Sequence, residues 1–253
     1  NVTNSKRMAY VKALESKNIV ISYAPIIQIE GYKVSGYEVV LSWDGMAIAP
    51  DSTGQIIQKK NYVTYGNLFY ANTELLEWVL STSMNDIMTL NRKTNGDVFL
   101  SISISYENLY DKDFVKHLND IITTLKFDPH QIEIGVIIKN ADISIDRLRY
   151  YLDDMKKLGV RIALIDEGAG LSAFAYLEEL DVETLCISNK NYTQGQKHLI
   201  LSHLIELAYN YRRNIMVSNI QTEVALDFVR DLGPHYIKGT SVGRTLSHQE
   251  LLC

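Results

Sequence analysis

The sequence predicts an α/β fold, a modified TIM (β/α)8 barrel with one antiparallel strand, and three observations support this prediction. Eight short runs carry β-branched or alternating apolar residues. Segments with the apolar spacing of amphipathic helices separate most of these runs. The first two runs are joined only by Ile29–Lys33, which is too short for a helical crossover, so they must form an antiparallel hairpin.

The individual elements follow from these patterns. The predicted strands are Asn18–Gln28, Val34–Trp43, Asp97–Ser105, Gln131–Ile138, Val160–Ile165, Glu183–Ser188, Asn214–Ser218 and Tyr236–Lys238. The predicted helices are Tyr65–Leu90, Asp113–Leu125, Ser144–Leu158, Ser172–Leu180, Lys197–Tyr211 and Thr222–Leu232. After the hairpin, strands and helices alternate, which predicts parallel strands joined by right-handed crossovers. Eight strands in this order favour a closed barrel over an open sheet.

A single domain over residues 1–253 is the expected organisation, since α/β barrels of about 250 residues commonly form one unit. No repeat, low-complexity tract or linker divides the chain. The longest irregular stretch, Met46–Asn61, is interpreted as an insertion above the barrel. Residues 5–17 are predicted to form a linker helix from an upstream domain, with an apolar stripe of Met8, Val11 and Leu14.

Composition excludes several classes of function. With 25 basic and 30 acidic residues the net charge is −5. This charge disfavours a large positively charged surface that would bind nucleic acid or an anionic membrane. No apolar run reaches the roughly 18 residues that a membrane span requires. The two cysteines, Cys186 and Cys253, show no metal-ligand spacing, so the expected location is the reducing cytoplasm, either free or as part of a larger protein.

Several segments together resemble the EAL domain family. The residues Ser22–Ile26 and Gly36–Trp43 are similar to "YQPI" and "GYEALLRW", Leu158–Gly170 to "LGVRIALDDFGTG", Val182–Ser188 to "VDTLKID", and Tyr236–Gly239 and Gly243–Leu246 to "YVQG" and "GRPL". These segments occur in the family's order and cover nearly the whole chain. The resemblance implies the EAL fold, in agreement with the eight strands predicted from periodicity.

The resemblance also implies a catalytic reaction, and the residues of this chain can be compared with what that reaction requires. Active EAL domains hydrolyse the bacterial second messenger cyclic di-GMP to linear pGpG with two Mg²⁺ or Mn²⁺ ions. Two metal ions that clamp the attacking and leaving oxygens need many oxygen ligands. Barrel enzymes carry such groups at the carboxyl ends of their strands. The residues at these positions therefore decide whether the chain is an enzyme.

The first three metal-site positions are only partly retained. Glu38 stands at the family's metal-binding glutamate. Ser103 replaces the asparagine of "SVNLS", and a serine hydroxyl is a poorer ligand than an amide carbonyl. Gly135 falls on the glutamate of "LEITES" if the spacing is kept without a gap, which is the preferred alignment, and a shift of two residues would place Glu133 there instead.

The remaining positions have lost most of their charged ligands. The aspartates of "DDFG" correspond to Ile165 and Asp166, and the lysine of "LKID" and the aspartate after it correspond to Cys186 and Ser188. Both glutamates of "AEGVE" are absent from Val217–Gln221, with Ser218 at the first, and Lys238 replaces the late glutamine that supports the nucleophilic water. We expect no metal and no other cofactor, because too few carboxylates are kept and an ammonium group repels a divalent cation.

Binding of cyclic di-GMP without hydrolysis stays open. The family's ligand-binding glutamine and arginine correspond to Ala24 and Ser42, so charge-assisted phosphate contacts are lost. The candidate ligand-binding residues that remain are Glu38, Asp166, Lys238 and Arg244. We prefer a structural interpretation to a residual metal site, in which Lys238 holds Glu38 and Asp166 in a buried or half-buried ion pair.

The expected function is therefore a catalytically inactive EAL-like domain. It would serve as a regulatory or protein-interaction module, through a protein partner or a homodimer. The first alternative is a metal-independent cyclic di-GMP receptor, and the second is an active phosphodiesterase.

Overall fold

The computed structural model describes residues 19–43, 61–63, 73–105, 109, 113–138, 144–166, 178–189 and 197–253. The strands are β1 (Ile19–Gln28), β2 (Lys33–Trp43), β3 (Asn61–Val63), β4 (Phe99–Ser105), β5 (Ile132–Ile138), β6 (Arg161–Asp166), β7 (Thr184–Ser188), β8 (Asn214–Ser218), β9 (Tyr236–Ile237) and β10 (Leu246–Ser247). The helices are α1 (Thr73–Thr94), α2 (Phe114–Leu125), α3 (Ile145–Lys157), α4 (Lys197–Asn210), α5 (Glu223–Leu232) and α6 (His248–Leu252), with a 3-10 turn at Pro129–Gln131.

Eight of the described strands close a barrel in the order β1, β2, β4, β5, β6, β7, β8, β9, and β9 pairs back onto β1. The seven barrel strands β2, β4, β5, β6, β7, β8 and β9 run parallel to one another, while β1 is antiparallel to both β2 and β9. The predicted barrel with one antiparallel strand is confirmed. The short strands β3 and β10 pair outside this circle, with β2 and β1 respectively.

The strand boundaries follow the sequence patterns closely, whereas the helix predicted over Tyr65–Leu90 continues to Thr94, and residues 65–72 lie outside the described part of the chain. Each predicted barrel strand begins and ends within two residues of the observed one. Of the predicted helix Ser172–Leu180, only residues 178–180 are described, and they form a turn and bend in place of a helix. The predicted linker helix at residues 5–17 and almost all of the predicted insertion Met46–Asn61 lie outside the described residues. No helix among the described residues combines the length and the apolar character of a membrane span.

Alternation along the strands separates two layers of side chains. In β4 the residues Leu100, Ile102 and Ile104 belong to the main core, which also contains helix residues such as Leu118 and Leu152 and so lies between barrel and helices. The alternate positions point into the barrel, where a small apolar cluster is formed by Ile26, Phe99, Cys186 and Met216. The interior also holds polar side chains, among them Glu38, Ser103 and Glu133, which belong to the site described below.

His235 makes the stability of the fold depend on pH. Its Nδ1 accepts a hydrogen bond from the Ile215 backbone N–H at 3.1 Å, and its ring centroid lies 4.7 Å from that of Tyr209. Burial lowers the pKa of His235 below its ordinary value of 6.5, so the folded chain favours the neutral ring. The unfolded chain then binds the proton more readily, and the free energy of unfolding should fall as the pH drops below about 6.5.

The measurement is urea unfolding at several pH values between about 5 and 7.5. His235→Gln should flatten the pH dependence of the unfolding free energy, because the titrating group is removed. His203→Gln is the control, since the His203 side chain is 75% exposed on α4. Identical slopes for wild type and His235→Gln would show that His235 is not the responsible group.

Candidate functional site

The barrel mouth, which we define as the end where the parallel strands terminate, gathers most of the residues singled out in the sequence. They lie in the central or carboxyl-terminal part of their strands or directly after one: Glu38 on β2, Ser103 on β4, Gly135 on β5, Ile165 on β6, Cys186 and Ser188 on β7, Ser218 on β8, and Lys238 after β9. Because neighbouring parallel strands end at the same edge, positions far apart in sequence meet here.

A buried ion pair lies at the centre of the mouth. Lys238 Nζ donates to Glu38 Oε1 at 2.7 Å, and Ser103 Oγ donates to the same carboxylate oxygen at 3.1 Å. The side chains of Lys238 and Glu38 are only 11% and 20% exposed. The Glu38 carboxylate therefore already has a cation and a hydroxyl as partners within the chain.

The surroundings keep Lys238 charged. Burial disfavours the ammonium form, but the Glu38 carboxylate and its neighbours outweigh burial and raise the pKa of Lys238 above its ordinary value. The backbone holds the residue in place, since Lys238 N–H donates to Val217 O at 3.0 Å and Lys238 O accepts from Ile220 N–H at 3.3 Å. Lys238 therefore carries a charged amine at neutral pH, and its backbone is anchored to Val217 of β8 and to Ile220.

Ile165 fills the space above Gly135. A Cβ atom built on Gly135 would lie 2.5 Å from Ile165 Cδ1 and 3.4 Å from Ser103 Oγ. A longer side chain at position 135 would therefore collide with Ile165 in this arrangement. Glycine and isoleucine fit each other here, and together they present an apolar wall beside Ser103.

The other described side chains of this group, those of Cys186, Ser188 and Ser218, are uncharged. Cys186 is 2% exposed, and burial raises the pKa of its thiol, so it remains a protonated core residue at neutral pH. Ser218 Oγ donates to Ile187 O at 3.3 Å, and Asn219 Nδ2 donates to Ser188 Oγ at 2.8 Å. Asn219 adopts the left-handed conformation with φ of 60°, which asparagine tolerates better than most residues.

Of the two other predicted ligand-binding residues, Arg244 lies outside this group, whereas the backbone of Asp166 lies at the mouth. Arg244 donates to Glu250 of α6, and its side chain is 72% exposed. Asp166 ends β6, and only its backbone is among the described parts of the chain.

The structure shows a polar cluster deeper in the barrel around Glu133, the residue that a shift of two residues in the alignment would place at the third metal-site position. Glu133 is 1% exposed and accepts from Thr184 Oγ1 at 2.9 Å and from Ser101 Oγ at 3.5 Å. Burial raises the pKa of Glu133, and the nearby Arg161 acts against this rise. The Arg161 guanidinium carbon lies 4.0 Å from the Phe99 ring centroid. A charged residue inside the apolar run of β5 was the signal available in the sequence.

The described residues do not fit the pair of Mg²⁺ or Mn²⁺ ions that active members of the family use. Among the side chains that the structure describes, no three His, Cys, Asp or Glu residues converge as ligands. The retained glutamate is engaged by Lys238, and its neighbours Ile165, Cys186 and Ser218 are uncharged. Divalent ions of this kind require several oxygen ligands, with carboxylates foremost.

Comparisons of this chain with known proteins all indicate the same family. The EAL domain family model matches residues 7–245. A protein of Escherichia coli (strain K12) named "Probable cyclic di-GMP phosphodiesterase PdeB" is 24% identical over 244 residues, which make up 95% of this chain and 45% of that protein. A second relative, the "Bifunctional diguanylate cyclase/cyclic di-GMP phosphodiesterase MucR" of Pseudomonas aeruginosa, is 21% identical over 248 residues, or 95% of this chain and 35% of the relative. The chain thus spans less than half the length of these curated relatives.

Solved structures show the same fold. The EAL enzyme Bd1971 in its cGMP-bound form has a TM-score of 0.82 at 18% identity, covering 99% of this chain and 68% of the other. The PaMucR phosphodiesterase in complex with c-di-GMP has a TM-score of 0.78 at 21% identity, covering 95% of this chain and 97% of the other.

Proposed function

Because this chain belongs to the EAL domain family, we propose that it is a member without hydrolytic activity, which acts as a regulatory or protein-interaction module in bacterial cyclic di-GMP-related signalling. The single observation that carries this proposal is the ion pair between Lys238 and Glu38 at the barrel mouth. The relatives named as cyclic di-GMP phosphodiesterases supply the signalling context.

Electrostatics support the loss of hydrolysis. An ammonium group that is 2.7 Å from the retained carboxylate occupies the oxygen that a metal ion would need. A divalent ion bound to the same carboxylate would lie close to this ammonium, and two neighbouring positive charges repel each other strongly in a poorly hydrated site. Without divalent ions there is no Lewis acid to stabilise the leaving oxygen and no metal-bound water to serve as nucleophile. A chain that keeps the barrel but lacks this chemistry can still act through contacts with a second copy or another signalling protein.

The cytoplasm is the compartment that fits this proposal. The described thiols of Cys186 and Cys253 are both unpaired, as expected for a protein of a reducing compartment. Signalling by an intracellular dinucleotide requires the same location.

Isothermal titration with cyclic di-GMP, in the presence and absence of Mg²⁺, tests the proposal. We expect no heat of binding under either condition and no linear dinucleotide in the recovered sample by chromatography. Heat that is independent of Mg²⁺ would favour the metal-independent receptor, a reading that the PaMucR complex with c-di-GMP makes worth testing. Turnover to linear product would refute the proposal.

A further inference from the structure

The outer surface between helices α1 and α2 carries a groove that lies apart from the barrel mouth. It has a volume of about 240 Å³, and none of its lining residues belongs to the mouth. We propose that this groove binds an arginine side chain presented by a segment of a partner protein. The inference deepens the proposed protein-interaction function and rests on it, because it names the chemistry of one partner contact.

The walls of the groove are acidic. Glu77 of α1 and Asp120 of α2 line it, and no lysine or arginine is among its lining residues. The Glu77 side chain is 48% exposed, and its ion-pair partner among the described side chains is His117, at 3.8 Å and charged only if protonated. The lining residues thus offer neither carboxylate a permanent cation, and a positive group from a partner meets negative charge that is not yet compensated.

The floor of the groove is apolar. Ile121 and Leu125 are one turn apart on α2, pack partly buried against the main core and also line the groove. An arginine has an apolar stem that can cover such a floor while its charged head stays with the carboxylates. Its planar guanidinium can donate two parallel hydrogen bonds to one carboxylate, which the ammonium of a lysine does not reproduce. The combination of apolar floor and acidic walls therefore favours arginine over lysine.

An exposed tryptophan borders the groove. Trp78 on α1 is 45% exposed, and Ser81, three residues later, lines the groove. Residues three positions apart are neighbours on the surface of a helix, so Trp78 lies beside the groove. The face of a tryptophan ring attracts a guanidinium group, and tryptophan is enriched at protein interfaces. Trp78 can therefore cover the bound arginine from the solvent side.

The size of the groove excludes a larger ligand. Pockets for small molecules and cofactors usually measure about 300–1,000 Å³. The groove, at about 240 Å³, is smaller than this range. It suits one long side chain of a protein segment, and a dinucleotide would not fit.

A nuclear magnetic resonance titration tests this proposal with a defined probe. The probe is a five-residue peptide with blocked ends, in which arginine stands between two leucines and glycine stands at each end. The reporter is the indole N–H signal of Trp78, one of two tryptophans in the chain, which is assigned with the variant Trp78→Phe. We expect the signal to shift in a saturable manner with a Kd between about 0.1 and 1 mM. The same peptide with uncharged citrulline in place of arginine should bind about tenfold more weakly.

Matched substitutions locate the binding site. The double variant Glu77→Gln with Asp120→Asn should bind the arginine peptide about tenfold more weakly than wild type. Glu206→Gln is the control, because the Glu206 side chain is 73% exposed on α4, and it should leave the affinity unchanged. Equal binding of the arginine and citrulline peptides, or equal affinities of the double variant and wild type, would overturn the proposal.

Two further outcomes separate this proposal from its alternatives. A shift of the Trp78 signal when the protein alone is concentrated would identify a second copy of this chain as the occupant, and the assignment to another protein would be wrong. Failure of the peptide to bind would overturn the arginine groove and leave the non-hydrolytic function standing. Turnover of cyclic di-GMP by wild type would refute that function whatever the peptide titrations show.

Discussion

Lys238→Ala is expected to lower the free energy of unfolding by about 3 kcal/mol, because it leaves the poorly hydrated Glu38 carboxylate without its cation. The loss of the lysine methylene groups from the barrel interior adds to the effect. Chemical denaturation in urea, followed by circular dichroism, gives the free energy directly. An unfolding free energy equal to that of wild type would contradict the ion pair.

Two controls separate the ion pair from a general effect of losing a lysine. Lys157→Ala removes a lysine that pairs with Asp154 but is 73% exposed, and it should leave the stability nearly unchanged, because solvent screens an exposed ion pair. Glu38→Gln should recover part of the loss when combined with Lys238→Ala, because the unpaired charge is removed. Purely additive effects of the two substitutions would mean that Lys238 and Glu38 do not interact.

Gly239→Ala is expected to destabilise the fold by about 3 kcal/mol or more, because a Cβ atom at this position meets backbone that cannot easily move. The added atom would lie 2.1 Å from Ile220 O and 2.4 Å from Ile220 N. Since the same Ile220 N–H donates to Lys238 O, a shift here would also displace the mouth lysine. Denaturation in urea and the yield of folded protein are the measurements.

Gly233→Ala is the matched control for this prediction. Gly233 ends α5 with φ of 66°, and no atom lies within 4 Å of a Cβ added there. Only the left-handed backbone conformation opposes alanine at this site, so the expected loss is about 1 kcal/mol. If Gly239→Ala were as mild as Gly233→Ala, the close approach of Ile220 would not constrain the chain.

The barrel could be predicted from the sequence because its strands carry strong local signals. Runs such as Asn214–Ser218 coincide with the observed strand, and the five-residue link Ile29–Lys33 already required the antiparallel hairpin. The strands β3 and β10, with three and two residues, are too short to show any periodicity. They exist through pairing with β2 and β1, which a local pattern does not encode.

The same distinction between local patterns and contacts across strands applies to the residues of the site. The motif spacing placed Glu38 and Lys238 at the mouth, and the opposite charges indicated the ion pair that the structure contains. The fit between Gly135 and Ile165 depends on the register of β5 against β6, and the contacts of Glu133 depend on three strands at once. These contacts form only when separate strands are aligned in the barrel. The sequence pattern of any one strand therefore does not predict them.

The most direct test of metal binding at the mouth is a crystal structure of the wild-type domain. The crystals are grown with excess MnCl₂, and anomalous data are collected at the manganese edge. We expect Lys238 Nζ within hydrogen-bonding distance of the Glu38 carboxylate and no anomalous peak beside it. A manganese peak coordinated by Glu38, with the lysine side chain turned away, would contradict the assignment of this barrel as metal-free and non-hydrolytic.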